Sequence, residues 1–305
     1  LRRAHVSGIL LPVYAATFQT ILDPADWKAE ALAHEARVSP WIEPHLDRLS
    51  RGEAHPVYDF LFSYYSFTPG QLRRWHPGLG VIVTGAGSER FLEWTGYERT
   101  ELGITACPRA IKAGRRASFQ WLLGMLEATQ SRPAWFGCYG LHEWAMVYRS
   151  EDIRHSRLPL RLPASQIASF VESQSLCCTH YDAFRFFTRD ARPLNRLQPE
   201  RASTTDLEQR GCLHANMDLY KWAYKLVPFT PSSLIADCFD LAREIREVDM
   251  RASPYDLAAL GFAPIPIELP EGRAEYEGLQ RGFSRRSEPL RARLICLLEE
   301  VVHRL

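Results

Sequence analysis

Residues 212–226 read CLHANMDLYKWAYKL. On a 3.6-residue period Leu213, Met217, Tyr220 and Tyr224 fall on one stripe, and Ala215, Leu219, Trp222 and Leu226 on a second. His214, Asp218, Lys221 and Lys225 remain, spaced i, i+4, i+7 and i+11, as a polar stripe of their own. A helix apolar over most of its circumference is expected to be largely buried, so its polar stripe faces either solvent or an internal wet cleft.

The flanking sequence extends the helical reading. Asp23-Pro24 opens a helix over LDPADWKAEALAHEAR, and Ser39-Pro40 repeats the signal for a second helix. HPVYDFLFSYYSF, starting at His55, reads as a helix, and Thr68-Pro69 opens another. Residues 118–130, 134–149 and 232–250 are helical, a short helix follows Ser253-Pro254, and residues 271–303 form one long helix or a pair. GLGVIVTGAG, 78–87, reads as a strand or extended turn, and 174–188 alternate as a strand would. Residues 189–210 are polar and contain proline, which predicts a long loop. The expectation is a mainly α chain with a few short strands, one globular domain over residues 1–305.

Composition narrows the function classes. Lys plus Arg number 37 and Asp plus Glu 36, so no global charge draws the chain to nucleic acid or an anionic membrane. Lysine occurs only at 28, 112, 221 and 225, which makes the pair in one helix stand out. The seven cysteines are odd in number and lack a Cys-x-x-Cys, which predicts a reducing, cytoplasmic compartment. No apolar run reaches the length of a membrane span. The start, LRRAHVSGILLPVYAATF, has the charge of a signal peptide, but its His, Ser and Gly and the missing cleavage pattern argue against one.

Histidines with nearby carboxylates supply the candidate chemistry. His55 and Asp59 are i, i+4, as are His214 and Asp218. His180 and Asp182 would share one face of a strand, and His142 adjoins Glu143. Aromatic residues surround nearly all of them. Taken singly, each is an ordinary buried imidazole with its hydrogen-bond partner, and Asp218 with Lys221 is an ordinary helix-face ion pair. Taken together, two chemical readings follow. In one, His55, His142, His180, His214 and Asp218 converge as ligands of a transition-metal ion. In the other, no metal is needed. Asp218, oriented by His214, stabilises an oxocarbenium-like sugar while an N-glycosidic bond is hydrolysed. Tyr220, Trp222 and Tyr224 then form the slot for the extracted base. His55, Asp59, His142, Glu143, His180 and Asp182 serve as further substrate contacts, with Lys221, Lys225, Arg73 and Arg74 on phosphates.

The stretches HPVYDFLFSYYSFTPGQLRRWHPG, FGCYGLHEWAMVYR, CTHYDAFRFFT, CLHANMDLYKWAYKL and DLAREIREVDMRASPYDL resemble an actinobacterial family named as 3-methyladenine DNA glycosylases. The resemblance runs from about residue 53 to the end of the chain. It implies base-excision repair on damaged double-stranded DNA, without a membrane or an obligate protein partner, and it carries over no catalytic residue. WHPGLGVIVTGAG, 75–87, contains the Pro-Gly-x-Gly of helix-hairpin-helix glycosylases, but β-branched residues and glycines follow it where those enzymes have a helix. The runner-up is a metal-dependent enzyme using the histidine and carboxylate pairs. A third reading is a DNA- or nucleotide-binding protein without catalysis.

Overall fold

Asp23 caps the first long helix, its Oδ1 accepting from the amides of Ala25 and Asp26 at 2.7 and 3.0 Å. The computed structural model describes residues 20–110, 114–151, 153, 155 and 157–305, so the basic and apolar start of the chain lies outside the described residues. Helix α1 (Pro24–Ser50) runs on through Pro40 and Pro44, where the sequence predicts a fresh start at Ser39-Pro40. Both prolines are exposed and four residues apart, so they share the solvent face, where water can satisfy the carbonyls they leave unpaired. Trp27, His34, Val38 and Ile42 form the opposite, buried face.

The predicted helix from His55 shrinks to α2 (Phe60–Tyr64). The His55 ring explains the delay: its Nδ1 accepts from the amides of Val57 and Tyr58, at 3.2 and 3.1 Å, and holds a turn there. Helix α3 (Pro69–Arg73) begins at Thr68 with a reciprocal capping box to Gln71. Four three-residue strands, β1 (Thr20–Leu22), β2 (Val81–Val83), β3 (Tyr97–Arg99) and β4 (Ile104–Ala106), form one sheet in the order β1-β2-β4-β3. β1 runs parallel to β2, and the other pairs are antiparallel. Gly103, at φ +147°, makes the β3–β4 turn, where a Cβ would meet the Val83 carbonyl at 2.6 Å.

The remaining chain is helical: α4 (Arg115–Ser131), α5 (Leu141–Val147), α6 (Ala164–Glu172), α7 (Tyr181–Phe184), α8 (Thr204–Leu207), α9 (Leu213–Met217), α10 (Leu219–Lys225), α11 (Ser232–Arg251) and α12 (Pro270–Arg304). Four expectations change. The helix expected over 134–149 shortens to α5, because residues 133–140 form coil and turn. The alternating segment 174–188 holds the one-turn helix α7, because His180 Nδ1 accepts the Ala183 amide at 3.3 Å and starts a helix. The predicted loop 189–210 carries α8 and a 3-10 turn. After Ser253-Pro254 only the 3-10 turn Ala258–Leu260 forms. The segment 212–226 is two helices in tandem. Asp218 joins them in helical conformation (φ −67°, ψ −11°), so the run is almost continuous.

Helix α11 packs against α9, α10 and α12, and α12 packs against α4. The result is a mainly α single domain with one small mixed sheet. No helix among the described residues is long and apolar enough to cross a membrane.

Candidate functional site

Helices α5, α7, α9 and α11 meet around a small cavity of about 40 Å³, room for an ion with one or two waters, where polar groups stand among aromatic and methionine side chains. Helix α5 contributes His142 and Glu143, the residue ahead of α7 is His180, and α11 contributes Arg246. His214 comes from α9, and Asp218 from its junction with α10. The His142 and His214 rings are 4.2 Å apart at 86°, and His180 lies 5.5 Å from His214. Three of the four histidines expected to converge therefore do so. His55 does not. Its ring stacks on Tyr58 at 4.5 Å and meets Phe262 edge-on, while the Asp59 carboxylate is taken by Arg48 and His45. That pair anchors the α1–α2 turn and is no part of the cavity.

Partners in the cavity are not the sequence neighbours. Asp218 accepts from Tyr65 Oη at 2.8 Å and Lys221 Nζ at 2.6 Å, and His180 Nε2 is 3.4 Å away. Among the described residues no side-chain hydrogen bond or ion pair joins the carboxylate to the His214 ring; only the Asp218 amide donates to the His214 carbonyl, at 2.8 Å. His180 faces Glu208 at 3.3 Å, whereas Asp182 pairs with Lys221 and Arg185, each at 3.2 Å. His142 lies 3.4 Å from Glu143 and 3.7 Å from Asp249. Arg246 donates to Glu143 Oε1 at 2.9 Å and to Asp249 Oδ2 at 3.3 Å.

Burial and charge set the ionisation states. Burial pushes Asp218 up, but Lys221 and His180 outweigh it and hold the carboxyl well below its usual range. Burial likewise opposes ionisation of Glu143, and His142 and Arg246 override it. Burial, then the neighbouring His142 and His180, push His214 well below an ordinary histidine, so its imidazole is neutral. Burial pushes Glu208 and Asp249 up. At this site, among the buried atoms of the described residues without a hydrogen-bond partner, are Glu143 Oε2, Asp249 Oδ1, His180 Nε2 and Arg246 Nε. Such orphans are uncommon and call for an explanation.

Donor atoms of His142, His214 and Asp249 all lie within 4.8 Å of one another. An ion about 2.0–2.2 Å from each donor spans that spacing after small side-chain rotations. Arg246 occupies Asp249 Oδ2 and so leaves Oδ1, the orphan, free to ligate. This grouping differs from the predicted ligand set. His55 is remote. His180 and Asp218 stand beside the group, with the Lys221 ammonium already on Asp218 where a second cation would sit. Asp249 is new. Its signal was present on α11, where Ile235, Phe239, Ala242, Arg246 and Asp249 share one helical face, so two charged residues interrupt a buried stripe. Glu208 lies in an irregular polar segment, where one more carboxylate carries no signal.

His180 and Asp182 also line a larger outer cleft of about 830 Å³, with Trp222, Lys221 and Lys225. The predicted three-ring slot does not form. Tyr220 packs into the core against Phe239 at 5.0 Å, and Tyr224 stacks on Phe67 at 4.8 Å. Residues 220 and 224 lie on the face that α10 turns to the core, so of the three expected rings it is Trp222 that lines the cleft. Arg73 and Arg74 line a different cavity, Arg73 bound to Glu43 and Arg74 lying 4.5 Å from the Trp94 ring centre. No protein-family model, curated protein or solved structure matches the chain.

Proposed function

We propose that the protein is a metal-dependent enzyme whose ion is held by His142, His214 and Asp249. The observation that carries this reading is the grouping of these three donors, one of them the orphaned Asp249 Oδ1, beside the orphaned Glu143 Oε2 and His180 Nε2. Four buried carboxylates, Glu143, Glu208, Asp218 and Asp249, surround the group, with Arg246 and Lys221 as their fixed cations. Two imidazoles and one carboxylate are the donor set of hydrolytic zinc sites and of non-haem iron sites. Such an ion supplies Lewis-acid or oxygen-activating chemistry. His180, between Glu208 and Asp218, is placed to move protons between that centre and the outer cleft. The seven free cysteines suit the reducing cytoplasm that this reading assumes.

Elemental analysis and calorimetric titration with Zn²⁺, Fe²⁺ and Mn²⁺ test it. One ion per chain is expected, lost in His214→Ala and Asp249→Asn while circular dichroism stays unchanged. A wild-type chain that takes up none of the three ions overturns the reading.

The second reading is hydrolysis of the N-glycosidic bond of alkylated purines in damaged DNA, with a non-catalytic DNA- or nucleotide-binding protein as its inactive counterpart. The resemblance points there, and the observation in favour is the Trp222 wall close to Asp218. The burial of Tyr220 and Tyr224 weighs against it. Release of methylated adenine from alkylated duplex DNA in the presence of a chelator would favour this reading over the metal centre.

A further inference from the structure

We infer that the outer cleft binds a small planar aromatic acid, a ring bearing a phosphate or carboxylate, with the ring on Trp222 and the acid group at the cationic mouth. The inference rests on the metal-centre reading in one respect: it takes this cleft as the substrate's approach to that centre.

The volume, about 830 Å³, lies within the range of about 300–1,000 Å³ usual for small-molecule sites. Its aromatic wall is a corner: Trp121, an exposed residue, meets Trp222 edge-to-face with ring centres 5.9 Å apart. A flat ligand in this corner packs against both rings, with the Lys221 and Lys225 ammonium groups 4.3 and 5.6 Å from the centre of the Trp222 ring. The mouth is positive. Arg115, Arg201 and Lys225 are all exposed there, and no carboxylate among the described residues pairs with any of them. Arg115 also begins α4, so the positive helix end lies beside the cations. The floor is polar and buried: His180 and Glu208 close it, and His180 Nε2 is one of the orphaned atoms. A ligand seated on Trp222 thus has its anion at the mouth and its far edge against His180, which also lines the inner cavity. Duplex DNA is a poorer fit, because its phosphates run along a surface whereas these cations ring one concave mouth.

The test is quenching of tryptophan fluorescence and calorimetry on the full chain, as purified and after chelation. The probes are adenosine monophosphate, adenosine, 2-naphthoate, inorganic phosphate and a duplex oligonucleotide. Binding of adenosine monophosphate or 2-naphthoate is expected, and which of the two is tighter identifies the acid as phosphate or carboxylate. Adenosine and inorganic phosphate should each bind about tenfold or more weakly than the tighter probe. Arg201→Gln with Lys225→Gln, both at exposed positions, should weaken the tighter probe by about tenfold or more and reduce its salt dependence. Failure of both aromatic acids to bind, indifference to the double variant, or preference for the oligonucleotide overturns the inference. Binding that persists after chelation in a chain that never takes up metal keeps this inference and discards the metal centre. Metal uptake without probe binding does the reverse.

Discussion

Asp218 holds the Tyr65 hydroxyl and the Lys221 ammonium in a place almost closed to solvent. Asp218→Asn therefore costs stability before it can report on chemistry. We expect a loss of about 2–3 kcal/mol in urea denaturation, because Lys221 keeps only Asp182 as an ionic partner. Asp218→Asn with Lys221→Met should recover much of that loss, and a double variant no better than the single one contradicts the assignment. His76 carries a pH dependence. Burial, helped by Arg74, lowers its pKa from 6.5 to about 3, while its Nδ1 stays 2.9 Å from the Tyr97 hydroxyl. The unfolded chain takes up this proton below its ordinary value and the folded chain does not. The contribution is thus complete above that value and is lost as pH falls toward the folded one. By pH 5 the loss is about 2 kcal/mol, and in His76→Gln the difference in stability between neutral pH and pH 5 should shrink by that amount. The site was half legible at this scale. His142, His180, His214 and Asp218 stood out as polar groups in aromatic company, and all four line the cavity. Their pairings did not, because helical spacing says which side chains share a face and nothing of the partner that arrives from another helix.

Caps and stripes made most helices readable. Asp23 and Thr68 start α1 and α3 where their side-chain acceptors predict. The fresh start expected at Ser39-Pro40 does not occur because Pro40, like Pro44 and like Pro289 of α12, sits on a solvent-facing row where water can replace the lost hydrogen bond. His55 and His180 act as caps, a role that composition does not announce. Pro289→Ala should then raise stability by about 2 kcal/mol, the helix gain of about 3 being offset by up to about 1 from a freer unfolded chain. An unchanged or lower urea midpoint would mean that α12 needs its proline. Helix α12 is pinned to α9 by fully buried Arg291, which donates to Asn216 Oδ1 at 2.5 Å. Asn216→Ala leaves that guanidinium short of an acceptor and should cost about 3 kcal/mol, read as an earlier denaturation midpoint.

Across the whole molecule, the proposed ligands are separated by more than a hundred residues of sequence, from His142 to Asp249, so an ion bound between them ties α5, α9 and α11 together. An ion present at a thousand times its Kd would stabilise the fold by about 4 kcal/mol. Chelation should accordingly lower Tm by roughly 5–10 °C. A chelated protein melting at the same temperature would place the donors outside any tight metal site. The charged stripe on α11 also bears on descent. Arg246 and Asp249 occupy positions that the rest of that face gives to Ile235, Phe239 and Ala242. Well-packed apolar replacements of buried ionic groups are often neutral or stabilising by about 1–4 kcal/mol. A lineage released from selection on activity would drift toward such replacements, gaining stability as it lost the site. On the proposed reading, the helix keeps both charges in its buried face for use, at the expense of stability.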